Sequence, residues 1–227
     1  SMDSAPPPPA PKSLPVIPWE DRGRSAFDGF FETVKLLATR PGEAFSRMPT
    51  EGGIGRPLFY AVAVGWLGVV VNIGWNLLFQ GMWLPFLEST EDLAGMGVMY
   101  GLTVGWGMLM AVLAPLFIIL TVFVVAAIFH LMLMILGGAT RGFEATVRVV
   151  CYTQTAQLAG LVPCCGPIVG LVWTVVLYTV GLSTAHRTSQ AKALLTVFLP
   201  VVFCCVLWAL VLLVIGGLAG LAAIADQ

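Results

Sequence analysis

The sequence predicts an all-α, polytopic integral membrane protein with five transmembrane helices, its N-terminus cytoplasmic and its C-terminus outside, preceded by amphipathic cytoplasmic helices. Three observations carry this. First, 58% of the 227 residues are hydrophobic and only 10% are charged, with a mean hydropathy of +0.93, against about 25% charged in soluble domains. Second, apolar runs long enough to cross a hydrocarbon core of about 30 Å occur near 57–80, 107–136, 166–183 and 194–223. Third, the lysines and arginines fall only before the first of these runs, after the second and after the third.

In chain order, residues 1–24 form a Pro-rich tail with seven prolines in the first 18 residues, a composition with too little apolar surface to order itself. No basic stretch followed by an apolar core reads as a signal peptide, so the first span is expected to do the targeting. Over 25–56, Phe27, Phe30, Phe31, Val34 and Leu37 recur at three- and four-residue steps opposite Asp28, Glu32 and Lys35, the pattern of an amphipathic helix. Ser25 and Asp28 resemble a capping box, and Pro41 ends this helix near Arg40 and starts a second one carrying Phe45 and Met48. Such helices either lie in the headgroup layer or dock on the ends of the spans.

Residues 57–227 form the five-helix membrane domain. Its central element is the least apolar one, Thr146 to Val162, which carries Arg148, Tyr152, Thr153, Gln154, Thr155 and Gln157. At 100° per residue Arg148, Tyr152 and Thr155 share a face, Gln157 lies opposite, and Gln154 points to a third side. A segment polar on several sides needs partners from neighbouring helices. Counting it as a span puts all the basic residues on one side and the base-free 81–106 loop, PCCGP turn and C-terminal tail on the other, so the positive-inside rule orients the chain.

Several side chains are candidates for function. Asn72 and Asn76 on the first span, with Gly65 and Gly68, form a stripe suited to helix contact or to a polar cavity shared with Tyr152, Gln154 and Gln157. His130 is a relay or ligand candidate, although a lone histidine is more often a hydrogen bond within a bundle. Arg141, Arg148, Arg187 and Lys192 gather near the cytoplasmic face, where Arg148 is expected to snorkel and the group to bind anionic lipid headgroups or only to orient the spans. The paired cysteines Cys164, Cys165 and Cys204, Cys205 are expected as a small-residue turn and as mid-span packing. No GxSxG, HExxH, phosphate loop or pair of intramembrane carboxylates is present, so no enzyme chemistry and no cofactor is expected. A net charge of −1 offers nothing for nucleic acid. Arginines outnumber lysines eight to three amid abundant Gly, Ala and Val, which suggests a bacterial cytoplasmic (inner) membrane.

The segment RPGEAFSRM ahead of a Gly-rich span resembles the Yip-type membrane proteins, named in eukaryotes for binding Ypt/Rab GTPases. So does ILGGATRGFEATVRVVCYTQTAQLAGLVP, in which a Gly-Gly loop leads into the Tyr152 helix ending at Pro163, followed by a Gly-Pro start to the next span. The resemblance covers about 27–212. It implies five spans, a cytoplasmic N-terminus and a non-enzymatic role in membrane organisation, traffic or scaffolding, with the bilayer, a homo-oligomer or other membrane proteins as partners. The longer N-terminal region that serves Rab contacts has no clear counterpart in the Pro-rich tail, so a Rab-type GTPase partner does not carry over. The alternative from the residues themselves is a small channel or carrier for an ion, lipid or small solute, using the polar intramembrane cavity.

Overall fold

The computed structural model describes residues 16–83 and 90–225. The first 15 residues of the Pro-rich tail, residues 84–89 and the last two residues lie outside the described residues. A 3-10 turn, Pro18–Glu20, is followed by α1 (Ala26–Thr39), α2 (Pro41–Arg47), α3 (Gly55–Trp83), α4 (Thr90–Ile135) and α5 (Phe143–Thr153). A second 3-10 segment, Gln154–Leu161, then leads to α6 (Gly166–Ala185) and α7 (Gln190–Ala225).

The N-terminal helices form as their sequence dictates. Ser25 caps α1 by accepting a hydrogen bond from the Asp28 amide, Arg40 is driven off helical geometry by the proline after it, and Pro41 opens α2. Docking prevails over a purely surface position. Gly29, Thr33 and Leu37 are buried along one face of α1, and a Cβ at Gly29 would sit 2.9 Å from the Pro18 carbonyl oxygen. Phe45 of α2 is buried against Val149 and Gly181. Part of the tail expected to be disordered is therefore ordered: Ile17 is fully buried and donates its amide to Arg47, while the Trp19 amide donates to Thr33 Oγ1 at 2.9 Å.

Among the described residues, four helices are long and apolar enough to cross a bilayer, over Gly55–Met82, Gly97–Ile135, Gly166–Ala185 and Gln190–Ile215. α4 begins well before the expected 107. A stretch rich in glycine reads as loop in a soluble chain, but in a membrane the helix satisfies every backbone group internally and tolerates glycine well. α3 and α4 run antiparallel, with Gly65 against Ile118, Gly107 against Ile73 and the Tyr100 hydroxyl donating to the Leu77 carbonyl. Pro115 lies inside α4 and has no N–H for the Ala111 carbonyl. The Trp66 indole of α3 donates to that carbonyl instead, at 2.9 Å. α7 returns beside α6 and α4 and leaves its residues 201–215 exposed, including Cys204 and Cys205, which therefore do not pack inside the chain. Cys164 takes a positive φ of 66° in the turn before α6.

The segment expected as a fifth span is built in two pieces, α5 and the 3-10 segment. Together they lie parallel to α3, with Gly53 beside Glu144, Tyr60 beside Thr155 and Gly68 beside Gln157. They lie antiparallel to α6, where His186 meets Thr146, Gly181 meets Val149, Gly170 meets Ala156 and Gly166 meets Ala159. They thus run alongside α6 for almost its whole length. A 3-10 helix has three residues per turn, so residues three apart share an edge. Gln154, Gln157 and Gly160 form one edge, Ala156 and Ala159 the edge against α6, and Thr155 with Leu158 the third. The two glutamines, neighbours on the α-helical wheel, are brought into line by the tighter turn.

Candidate functional site

Three polar constellations depend on α5 and the segment after it. The first is a charge cluster at the end of the bundle capped by the N-terminal helices. Arg148 is 1% exposed. Its Nη1 donates to both carboxylate oxygens of Glu20 at 2.9 Å, its Nε donates to Glu144 at 3.1 Å, and its Nη2 donates to the Gly53 carbonyl. One turn further on, the Tyr152 hydroxyl donates to Glu20 at 2.6 Å. Gly52 and Gly53, both at positive φ, turn the loop so that the Gly53 amide also reaches Glu144, at 2.7 Å. The Trp19 indole donates to the Arg56 carbonyl at 2.7 Å, and the Arg56 guanidinium returns a bond to the Glu20 carbonyl at 3.0 Å. Arg148 therefore does not snorkel to the headgroups. A carboxylate from the N-terminal segment comes to it, and a buried pair of this geometry is held by its extra hydrogen bonds as much as by its charges.

The second constellation joins the two histidines of the chain. The Arg141 amide donates to His186 Nδ1 at 3.3 Å, which makes that nitrogen the acceptor and leaves the proton on Nε2. Nε2 then donates to Thr146 Oγ1 at 2.9 Å, and the threonine hydroxyl donates to His130 Nδ1 at 3.0 Å. His130 is thus a bundle hydrogen bond with a second imidazole one hydroxyl away. Burial, then the neighbouring His130 and Arg141, push the His186 pKa down to about 4, so the ring is neutral near pH 7. Among the described residues no three His, Cys, Asp or Glu side chains converge on a metal position.

The third is a cavity of about 970 Å³ between α3, α4, the 3-10 segment and α6. Asn72, Asn76, Gln154 and Gln157 all line it. Asn76 Nδ2 donates to the Asn72 carbonyl at 2.8 Å and to its side-chain oxygen at 3.1 Å. α4 contributes Trp106, Met110, Phe117 and Ile118 together with Thr103 and Thr121, and among the described residues no Asp, Glu, Lys, Arg or His lines the space. Tyr152 does not belong to it, since its hydroxyl is turned to Glu20 at the capped end.

Arg141, Arg187 and Lys192 lie on or beside the two loops at the capped end, where the Lys192 ammonium donates to the Gly137 carbonyl at 3.2 Å and Arg187 takes a positive φ of 48°. Arg148 is withdrawn from this group. Residues not singled out from sequence are Glu20, Glu144, Gly53, Tyr60, Trp66, Thr146 and His186. Glu144, four residues before Arg148, carried a readable helical ion-pair spacing, whereas Glu20 sat in a stretch with no periodicity to place it.

In comparison with known protein families, the family model described as Yip1 domain matches residues 34–212. No curated protein and no solved structure matches the chain.

Proposed function

The chain belongs to the Yip1 domain family, and from that premise we propose that this integral membrane protein has a non-enzymatic, membrane-organising or scaffold role, with five crossings, a cytoplasmic N-terminus and an outer C-terminus, in a bacterial cytoplasmic membrane. The observation that carries the role is the outer face of α1. Phe27 and Phe31 are 72% and 52% exposed and pack on each other with ring centroids 4.6 Å apart, while the opposite face of the same helix is docked. Phe59, exposed in the second turn of α3, stacks on Trp19. This aromatic patch is continuous with the lipid-facing side of the first span, at the depth where aromatic side chains settle in the headgroup boundary.

The five-crossing reading is supported by length. Eleven α-helical residues at about 1.5 Å and eight 3-10 residues at about 2.0 Å extend roughly 32 Å, enough for a core of about 30 Å. The orientation is supported by charge, because all ten described Lys and Arg residues lie at the capped end. Arg141, Arg187 and Lys192 there form a basic rim suited to anionic headgroups. The exposed residues 201–215 of α7 are open to lipid, to a second copy or to another membrane protein.

Reconstitution into vesicles tests the role. The wild-type protein is expected to deform or tubulate liposomes, and Phe27→Ser with Phe31→Ser to do so several-fold less while remaining folded. Equal deformation by the variant would remove α1 from the role. A channel or carrier is the second reading, favoured by the amide-lined cavity. Solute flux without deformation, abolished in Gln154→Leu with Gln157→Leu, would establish it over the first.

A further inference from the structure

The cavity between α3, α4, the 3-10 segment and α6 raises a separate question. Its walls lie within the membrane-crossing stretches, yet they present four carboxamides, of which only Asn76 and Asn72 are bonded to each other. Each amide facing hydrocarbon without a hydrogen-bond partner costs free energy comparable to a lost buried hydrogen bond, so an acyl chain alone is a poor occupant. A small ion is also a poor occupant, because among the described residues no ionisable side chain lines the space and a dehydrated charge would find no counter-charge there. An anionic phospholipid headgroup fails for the same reason.

The polar and apolar walls are arranged lengthwise. From Gln154 through Gln157 and Asn72 to Asn76, the amides follow one side for the depth of the cavity, while Trp106, Met110 and Phe117 face them from α4. The 3-10 geometry aligns this column, since a three-residue period sets Gln154 directly in line with Gln157, where an α-helix would leave them about 60° apart on the same face. Gly160 continues that edge without a side chain, and a Cβ there would meet nothing within 4 Å. The volume, about 970 Å³, falls at the upper end of the range of ligand sites, about 300–1,000 Å³.

We infer that this cavity is a binding site for one molecule of an uncharged lipid whose head carries hydroxyl and ester groups, of the diacylglycerol class. The head oxygens accept from and donate to the carboxamides of Gln154, Gln157 and Asn72, and the chain lies against the α4 wall. This assignment does not depend on the role of α1.

The test uses purified full-length protein in nanodiscs of zwitterionic lipid, with dioleoylglycerol and phosphatidylglycerol as competing probes and bound lipid read by native mass spectrometry. The expected result is near-stoichiometric dioleoylglycerol retention, preferred over phosphatidylglycerol at least tenfold. Gln154→Leu with Gln157→Leu, and independently Gly160→Phe, which fills the space and leaves the amides intact, should each lower retention at least tenfold. Equal retention of the two lipids by the wild type would overturn the assignment. So would retention unchanged in a folded Gly160→Phe protein, or a cavity that holds only water and retains neither probe.

Discussion

The Glu20–Arg148 pair gives the most exacting test of how the N-terminal segment is held. In Glu20→Gln the side chain keeps its shape and loses its charge. The carboxylate takes two bonds from Arg148 Nη1 at 2.9 Å and one from the Tyr152 hydroxyl at 2.6 Å, with side-chain exposures of 1% for Arg148 and 11% for Glu20. Removing one partner of a buried pair costs about 3–5 kcal/mol when the other charge is left uncompensated. Here Glu144 still holds Arg148 Nε at 3.1 Å, and glutamine retains one acceptor oxygen, so the expected loss is about 2 kcal/mol for Glu20→Gln and about 3 kcal/mol for Glu20→Ala. Unfolding by SDS in mixed micelles, followed by tryptophan fluorescence, measures it. Arg148→Met completes a double-mutant cycle with an expected coupling of about 2 kcal/mol. A Glu20→Gln loss below about 0.5 kcal/mol, additive with Arg148→Met, would refute the view that this carboxylate neutralises the arginine.

Three further outcomes follow from other contacts. Trp66→Phe strips the Ala111 carbonyl of its donor and should cost about 1–2 kcal/mol, and Pro115→Ala in the same chain should restore the loss by returning a backbone N–H; no rescue would mean that the indole serves packing alone. His186, neutral when folded with its pKa pushed down to about 4 against about 6.5 when unfolded, contributes stability that is full above about pH 6.5 and is lost as pH falls toward 4, by up to about 1.4 kcal/mol per unit; denaturation midpoints between pH 7 and pH 4 should show this slope, and His186→Gln should flatten it. Gly166→Ala places a Cβ 2.3 Å from the Ala159 carbonyl oxygen and should destabilise by about 2 kcal/mol or more, so a midpoint within error of wild type would show that α6 and the 3-10 segment pack less closely than described.

How much of this was legible in the chain depended on whether one period governed the segment. α1 and α2 were readable to within a residue or two, because Ser25, Asp28 and Pro41 act locally on the backbone. The apolar cores of the crossing helices were readable by length alone. The N-terminal half of α4 was not, since glycine is a loop signal in water and an ordinary helix residue in lipid. The cavity amides were identified, Gln154 and Gln157 lying about 60° apart on a 100° wheel, but the 3-10 turn that carries them was not, since it accompanies packing of Ala156 and Ala159 against glycines of α6. Arg148 was misread for a different reason: its counter-charge is 128 residues away, beyond the reach of any local pattern.

That separation bears on how the protein is made. Glu20 leaves the ribosome long before Arg148 does, so on the proposed five-crossing reading its carboxylate is already made when the central segment is inserted. The corollary concerns protein engineering. A fusion or affinity tag that draws residues 17–21 away from the bundle would leave the apolar spans intact and still deprive Arg148, buried at the capped end, of its Glu20 partner.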